Sequence, residues 1–111
     1  MEYYITVKDI FGNGSAEGEP NTINKRDVKL QGVRTSANST SNLIKYYRYR
    51  IYDSSDNELL YDSGNIYNNS MEYVVRGLPN EIGVRINLIY EDNLGHVVEK
   101  KQNFQVSYPD R

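Results

Sequence analysis

The chain has no cysteine and no tryptophan, only two phenylalanines and three prolines, and a single histidine in 111 residues. Without cysteine there is neither a disulfide framework nor a thiolate metal site, so stability must come from packing. The single histidine, His96, falls in Asn93-Leu94-Gly95-His96, which reads as a tight turn. Proton transfer near neutral pH therefore has one candidate and no companion. Neither sign of charge dominates, since 13 Lys and Arg face 15 Asp and Glu for a net charge of −2. Nucleic acid is accordingly not expected as a partner. Apolar runs fall well short of the roughly 18 residues of a membrane span, so no membrane insertion is expected. The opening MEYYITVKDIFGNG has no basic region leading into an apolar run and does not read as a secretory signal.

Catalytic motifs are missing as well. Ser15 lacks the preceding glycine of a Gly-x-Ser-x-Gly elbow, because Asn13 stands there. Gly12, Gly14 and Gly18 fail the dinucleotide spacing at Glu17, and no Lys-Ser or Lys-Thr pair follows to make a phosphate loop. Asp53, Asp56 and Glu58 are the densest acidic group, but they lack the order and the glycine of a calcium loop and read as a solvated turn. Asn38-Ser39-Thr40 and Asn68-Asn69-Ser70 match the glycosylation pattern, as an Asn-rich chain does by chance. No catalytic residue, metal or cofactor is expected.

What is present is tyrosine, eleven of them. Tyrosine suits half-buried strands, where the ring packs and the hydroxyl stays wet. AT-rich codon usage would enrich Tyr, Asn, Ile and Lys equally well. Period-two patterning recurs along the chain and no helical period is sustained. Residues 2–8 place Tyr3, Ile5 and Val7 on one face and Tyr4, Thr6 and Lys8 on the other. A loop, FGNGSAEGEP, follows. Residues 27–33 form the next strand, and the polar run RTSANSTSN the next loop. Residues 43–53 read as a long strand with Leu43, Tyr47, Tyr49 and Ile51 inward and Ile44, Tyr46, Arg48, Arg50 and Tyr52 outward. A turn at 54–57 returns through 58–62 as a hairpin. Met71, Tyr73 and Val75 mark a further strand, closed by Gly77-Leu78-Pro79. Val84, Ile86, Leu88 and Tyr90 mark the inward face of the next, and a hairpin leads into 97–108, where Lys100 and Gln102 interrupt the apolar parity of Val98, Phe104, Val106 and Tyr108. The centre of that last strand is expected to be a bulge or an edge.

About seven strands of this kind predict an all-β, two-sheet antiparallel sandwich. One compact domain of this length buries roughly 65% of its unfolded surface. Within it, residues 25–111 form the sandwich and 1–24 an N-terminal strand or arm with its glycine-rich loop. Leu78-Pro79, the apolar residues Val84, Ile86 and Leu88, and Gly95 resemble the E–F–G region of fibronectin type III domains of the immunoglobulin-like class. Residues 47–51 and their return through Tyr61 resemble its strands C and C′. The resemblance spans about residues 27–108; the family's tryptophan has no counterpart here, and Val84 stands at the place of its corner tyrosine. A local similarity also links Val7-Lys8-Asp9-Ile10-Phe11-Gly12-Asn13 with Tyr90-Glu91-Asp92-Asn93-Leu94-Gly95-His96.

Composition and independence are similar to the small immunoglobulin-like proteins of tailed bacteriophage virions, where such domains decorate capsids or build tails and baseplates. The resemblance implies a non-catalytic structural protein, made in the host cytoplasm and residing in the virion, present in multiple copies and partnered by other virion proteins, with cell-surface polysaccharide as a further partner. The alternative is a carbohydrate-binding or spacer module of a bacterial extracellular surface protein or glycoside-acting enzyme. Tyr46, Arg48, Arg50 and Tyr52 form the expected interaction face, since Tyr and Arg are enriched at binding hot spots. Tyr3, Tyr4, Ile5 and Val7 form the expected assembly arm, offering backbone to a neighbouring chain.

Overall fold

Alternating apolar residues commit most segments to strands, and eight strands result among the described residues. The computed structural model describes residues 3–11, 14–18, 21–34 and 44–109. In chain order they are β1 (Tyr3–Asp9), β2 (Thr22–Ile23), β3 (Val28–Arg34), β4 (Ile44–Asp53), β5 (Leu59–Asp62), β6 (Glu72–Val75), β7 (Ile82–Asp92) and β8 (Val97–Val106). No helix occurs among the described residues. Two sheets form, one ordered β1-β3-β6 and the other β2-β8-β7-β4-β5. The architecture is an all-β sandwich of immunoglobulin-like type.

The core lies between the sheets. One contributes Tyr3, Ile5, Val7, Val28, Leu30 and Val75; the other contributes Tyr47, Tyr49, Ile51, Val84, Ile86, Leu88, Tyr90, Phe104 and Val106. Gly32 lies where the sheets come close: a methyl there would sit 3.2 Å from Leu88 and 3.3 Å from Met71. Apolar burial on this scale is the main stabilising term, at about 1.5–3 kcal/mol for each large aliphatic side chain fully buried.

Three sequence expectations are corrected by the fold. Ile44, read as outward, is buried, because the β4–β7 register slips between Ile44 and Tyr46 and a one-residue slip moves a side chain to the other face. Its expected inward neighbour Leu43 lies outside the described residues, as does Asn38-Ser39-Thr40. The eighth strand, β2, follows the segment that read as loop, and pairs parallel with β8 at Thr22↔Gln105 and Ile23↔Val106. Two residues are too few to leave a periodic signal. The third correction concerns the arm. β1 pairs antiparallel with β3 along its whole length, from Tyr3↔Arg34 to Asp9↔Val28, so residues 3–9 are a strand of this chain's own sandwich.

The last strand has no bulge. β8 pairs continuously with β7 from Val97↔Glu91 to Val106↔Ile82. Among the described residues its other side pairs only with β2, at Gln105 and Val106, so residues 97–104 are an edge there. Lys100 and Gln102 fall on the inner parity there, where an edge tolerates charge and is protected by it from pairing with other chains.

The similarity between the two Asp-x-x-Gly stretches has a common geometry. Asp9 Oδ1 accepts the Phe11 N–H at 2.9 Å, and Asp92 Oδ1 accepts the Leu94 N–H at 2.9 Å. The backbone closes behind each, Asp9 N–H onto the Gly14 carbonyl and Asp92 N–H onto the His96 carbonyl. Each aspartate starts its turn by bonding the amide two residues on. Gly12 and Asn13 of the first stretch lie outside the described residues.

Candidate functional site

The outer face of the five-stranded sheet collects the polar and aromatic side chains of β4. Its register with β7 and β8 sets four rows across the sheet: Tyr46–Glu91–Val97, Arg48–Ile89–Glu99, Arg50–Asn87–Lys101 and Tyr52–Arg85–Asn103. All four predicted residues are on this face, but they divide into three groups.

Arg48 and Arg50 converge on one carboxylate. Arg48 grips Asp62 of β5 with both arms, Nε to Oδ1 at 2.8 Å and Nη2 to Oδ2 at 2.6 Å, while Arg50 Nε lies 3.5 Å from Oδ2. The Arg48 hydrogen bonds hold the Asp62 carboxyl well below the usual carboxylate range; partial burial opposes them, and the Gly64 N–H and the Arg50 charge add to the lowering. Bidentate pairing fixes both partners, so these guanidinium groups are partly spent within the chain.

Tyr52 takes a different cation. Arg85 of β7 lies over its ring at 4.5 Å. The same guanidinium donates to Asn57 Oδ1 at 2.7 Å and to Asn87 Oδ1 at 3.2 Å, and Asn87 passes the chain on to Glu99 at 2.8 Å. Asn87 is 3% exposed although it sits on an outer face. Long neighbouring side chains cover it, as arginine and lysine stems do. The centre of the face is thus a network in which Arg48 and Arg50 share one carboxylate and Arg85 is held by a tyrosine ring and two asparagines.

Tyr46 is at the open end. Desolvation, followed by the charge of the neighbouring Glu91 carboxylate, raises its pKa. Beside it stands Tyr67, from the connection after β5, with ring centroids 6.1 Å apart. Tyr67 is 70% exposed and Val97 60%, on either side of the Tyr46 row. Sequence patterning passed over Tyr67, Arg85 and Val97. In the structure Ile66 pairs with Tyr47 as an isolated bridge and packs against the core while Tyr67 faces out, an arrangement that no residue pattern announces.

The expected arm residues do other work. Tyr3, Ile5 and Val7 are core residues, and only Tyr4 faces out, at 41% exposure. Much of the backbone of β1 on its free side is also engaged: Val7 N–H donates to the Glu17 carboxylate at 3.3 Å, the Val7 carbonyl accepts from Ala16 at 2.9 Å, and Tyr3 N–H donates to the Tyr90 hydroxyl at 3.2 Å. A neighbouring strand would have to displace these bonds.

The ring of His96, read as having no companion, is held by Asp92, with Nδ1 3.1 Å from Oδ2. Asp92 also accepts the His96 and Leu94 backbone N–H groups, and the His96 amide is the largest cause of its lowered pKa. The pair orders the β7–β8 hairpin. Asp53 and Asp56 likewise bond their own turn, to Ser55 and to the Glu58 N–H. Among the described residues no group of three His, Asp or Glu is placed to hold a metal ion.

No family model matches the chain. No curated protein matches it either. Among solved structures, the crystal structure of CopC from Methylosinus trichosporium OB3b is similar, with a TM-score of 0.54 over 97% of this chain and 98% of that one. At 18% sequence identity that likeness extends to the fold.

Proposed function

We propose that the chain is a non-catalytic assembly protein, a component of a bacteriophage virion that contacts neighbouring proteins through the open end of its five-stranded sheet. The observation that carries a binding role is the Tyr46, Tyr67 and Val97 strip, aromatic and apolar side chains held outward beside a face whose arginines are held by side chains of this chain. Aromatic residues in such settings supply contact area at small entropic cost. The virion itself rests on the sequence resemblance. The order of β4 to β8 supports the finer type III assignment, with β4 and β5 as C and C′ and β6, β7 and β8 as E, F and G. Capsid decoration, tail and baseplate are alike compatible with a rigid sandwich present in many copies.

A second reading, a carbohydrate-binding or spacer module of a larger surface protein, is favoured by the exposed Tyr67 ring, which offers a stacking platform. Sedimentation of the native source followed by mass spectrometry distinguishes the two. The assembly reading expects a 12.9 kDa polypeptide in a fast-sedimenting particle. Recovery only within a larger polypeptide, free of particles, would overturn it in favour of the module.

A further inference from the structure

At its centre the outer face of the five-stranded sheet carries more cations than carboxylates: Arg48, Arg50, Arg85 and Lys101 stand there against Asp62 and Glu99. The surplus is localised. Arg48 holds both oxygens of Asp62, and Arg85 is engaged by Tyr52, Asn57 and Asn87. Arg50 has only the shared charge of Asp62, 3.5 Å from its Nε, and that nitrogen is buried without a hydrogen bond. Its terminal nitrogens make no hydrogen bond among the described residues, although the side chain is 34% exposed. Lys101 is exposed and joins no ion pair among them either. We infer that the Arg50–Asn87–Lys101 row receives a carboxylate side chain from an acidic segment of a neighbouring protein, whose apolar residue lies on the Tyr46, Tyr67 and Val97 strip. The inference rests on the assembly reading for its choice of a protein partner, and adds the chemistry and spacing of the segment that docks.

Register supplies the geometry of the anion site. Arg50 and Lys101 flank Asn87 in one row across β4, β7 and β8. Two strand spacings put their Cα atoms about 10 Å apart. Two long cationic side chains on either side of a short amide can both reach one small anion. With Nε turned to Asp62, the Nη1 and Nη2 groups of Arg50 are left to face a partner, and a guanidinium offers paired N–H groups that match the two oxygens of a carboxylate. A single charge suits the surroundings. A phosphate group, with a charge of about −1.5 to −2, would be set against Asp62 and Glu99 on the same face.

The same register fixes where the acid lies along the segment. Glu91 stands in the Tyr46 row and repels a carboxylate there, so that end takes the apolar residue. From Tyr46 to Arg50 is four residues of β4, about 13 Å. An extended chain laid along β4 presents residues i and i+4 on one face at the same distance. The segment therefore carries an apolar and an acidic residue four positions apart. Arg48 lies between them, already gripped by Asp62, so it asks for no second acid.

Short capped peptides of serine and threonine test this, one with Leu and then Glu four positions later and one with the order reversed. Each is titrated into the isotope-labelled chain, beside a counterpart with Gln for Glu and another with Ser for Leu, while backbone amide shifts are followed. For one order, saturable shifts at Arg50, Asn87, Val97 and Lys101 are expected, with a Kd of about 1 mM. The Gln counterpart should bind about tenfold more weakly for want of the charge, and the Ser counterpart about tenfold more weakly for want of apolar contact. Lys101→Gln should remove most of the preference for Glu, and because Lys101 is exposed this variant remains informative where Arg50→Gln perturbs β4. Equal affinity for the Glu and Gln peptides would overturn the inference, as would no response to any peptide at about 20 mM. So would shifts centred on Phe11 and Tyr108, or a row that answers only to inorganic phosphate, titrated separately. Particle association is scored apart from this. A Lys101→Glu chain that enters particles as well as the unaltered one sinks this inference and leaves the assembly reading; peptide binding by a chain never found in particles sinks the assembly reading and leaves the site.

Discussion

Tyr47 reaches across the core from one sheet and sets its hydroxyl against Glu72 in the other, donating to the carbonyl at 2.8 Å and accepting the N–H at 3.1 Å. It does for the free side of β6 what a further strand would do. Tyr49 donates to the Met71 carbonyl, Tyr61 to the carbonyls of Arg76 and Gly77, Tyr90 accepts from Tyr3, and Tyr108 bonds Leu78. The abundance of tyrosine that composition alone left ambiguous thus has a structural use, in a chain with no disulfide to join its sheets. Tyr47→Phe should cost about 1–3 kcal/mol, because it leaves the Glu72 N–H without its acceptor. Tyr49→Phe should cost only about 1 kcal/mol, since the Met71 carbonyl keeps the Gly32 N–H. Urea unfolding of the two variants measures the difference, and equal losses would mean that the hydroxyls do not cap the edge. Alkali tests Tyr3, Tyr49, Tyr61 and Tyr73 together. Burial raises the pKa of Tyr49 most, and desolvation also raises Tyr3, Tyr61 and Tyr73. In the unfolded chain tyrosine titrates near pH 10, so the folded state keeps protons that the unfolded state releases. Stability should be intact below about pH 10 and fall as pH rises beyond it, with tyrosinate absorbance appearing in step with loss of structure. Full tyrosinate formation in a chain that stays folded would refute this.

Strand β1 supplies Tyr3, Ile5 and Val7 to the core, and the following segment adds Ala16 and Ile23. Deletion of residues 1–24 should therefore unfold the protein, with its thermal transition lost; a truncated chain that melts cooperatively would restore a dispensable arm. Between β4 and β5 the link is Asp62. Its lowered pKa means that the folded state sheds a proton the unfolded chain still holds, so its contribution is present above about pH 4 and lost as pH falls below that. Arg48 and Asp62 are 31% and 26% exposed, so solvent screens the pair and Asp62→Asn should cost only about 1 kcal/mol near neutral pH, with a shallower loss of stability in acid. An unchanged acid profile would mean that other carboxylates set it. Legibility in the sequence followed the same divisions. The inward parities of β1, β6 and β7 could be read because apolar alternation reports the buried face of any regular strand. Ile44 was misread because a register slip leaves no mark in residue type. The breakup of the Tyr46, Arg48, Arg50 and Tyr52 face was invisible because Asp62, Arg85 and Tyr67 come from other segments.

As a whole the molecule is one sandwich with one core, so circular dichroism should be dominated by β structure and heat or urea should unfold it in a single cooperative transition. A transition in two steps would mean that the sheets separate before they unfold. The sheet order β2-β8-β7 has a kinetic side as well. β8 is made after the other described strands, yet it lies between β7 and β2, a segment made well before it, and it brings Phe104 and Val106 to the core. Until β8 arrives, β2 lacks its sheet partner and one side of β7 stays open. Such pairing of distant segments gives a high contact order, and chains of this kind fold in milliseconds to seconds, slower than helical bundles of equal length. The nascent chain must carry the open side of β7 through that interval, and a truncated product lacking β8 would keep it permanently as a template for aggregation.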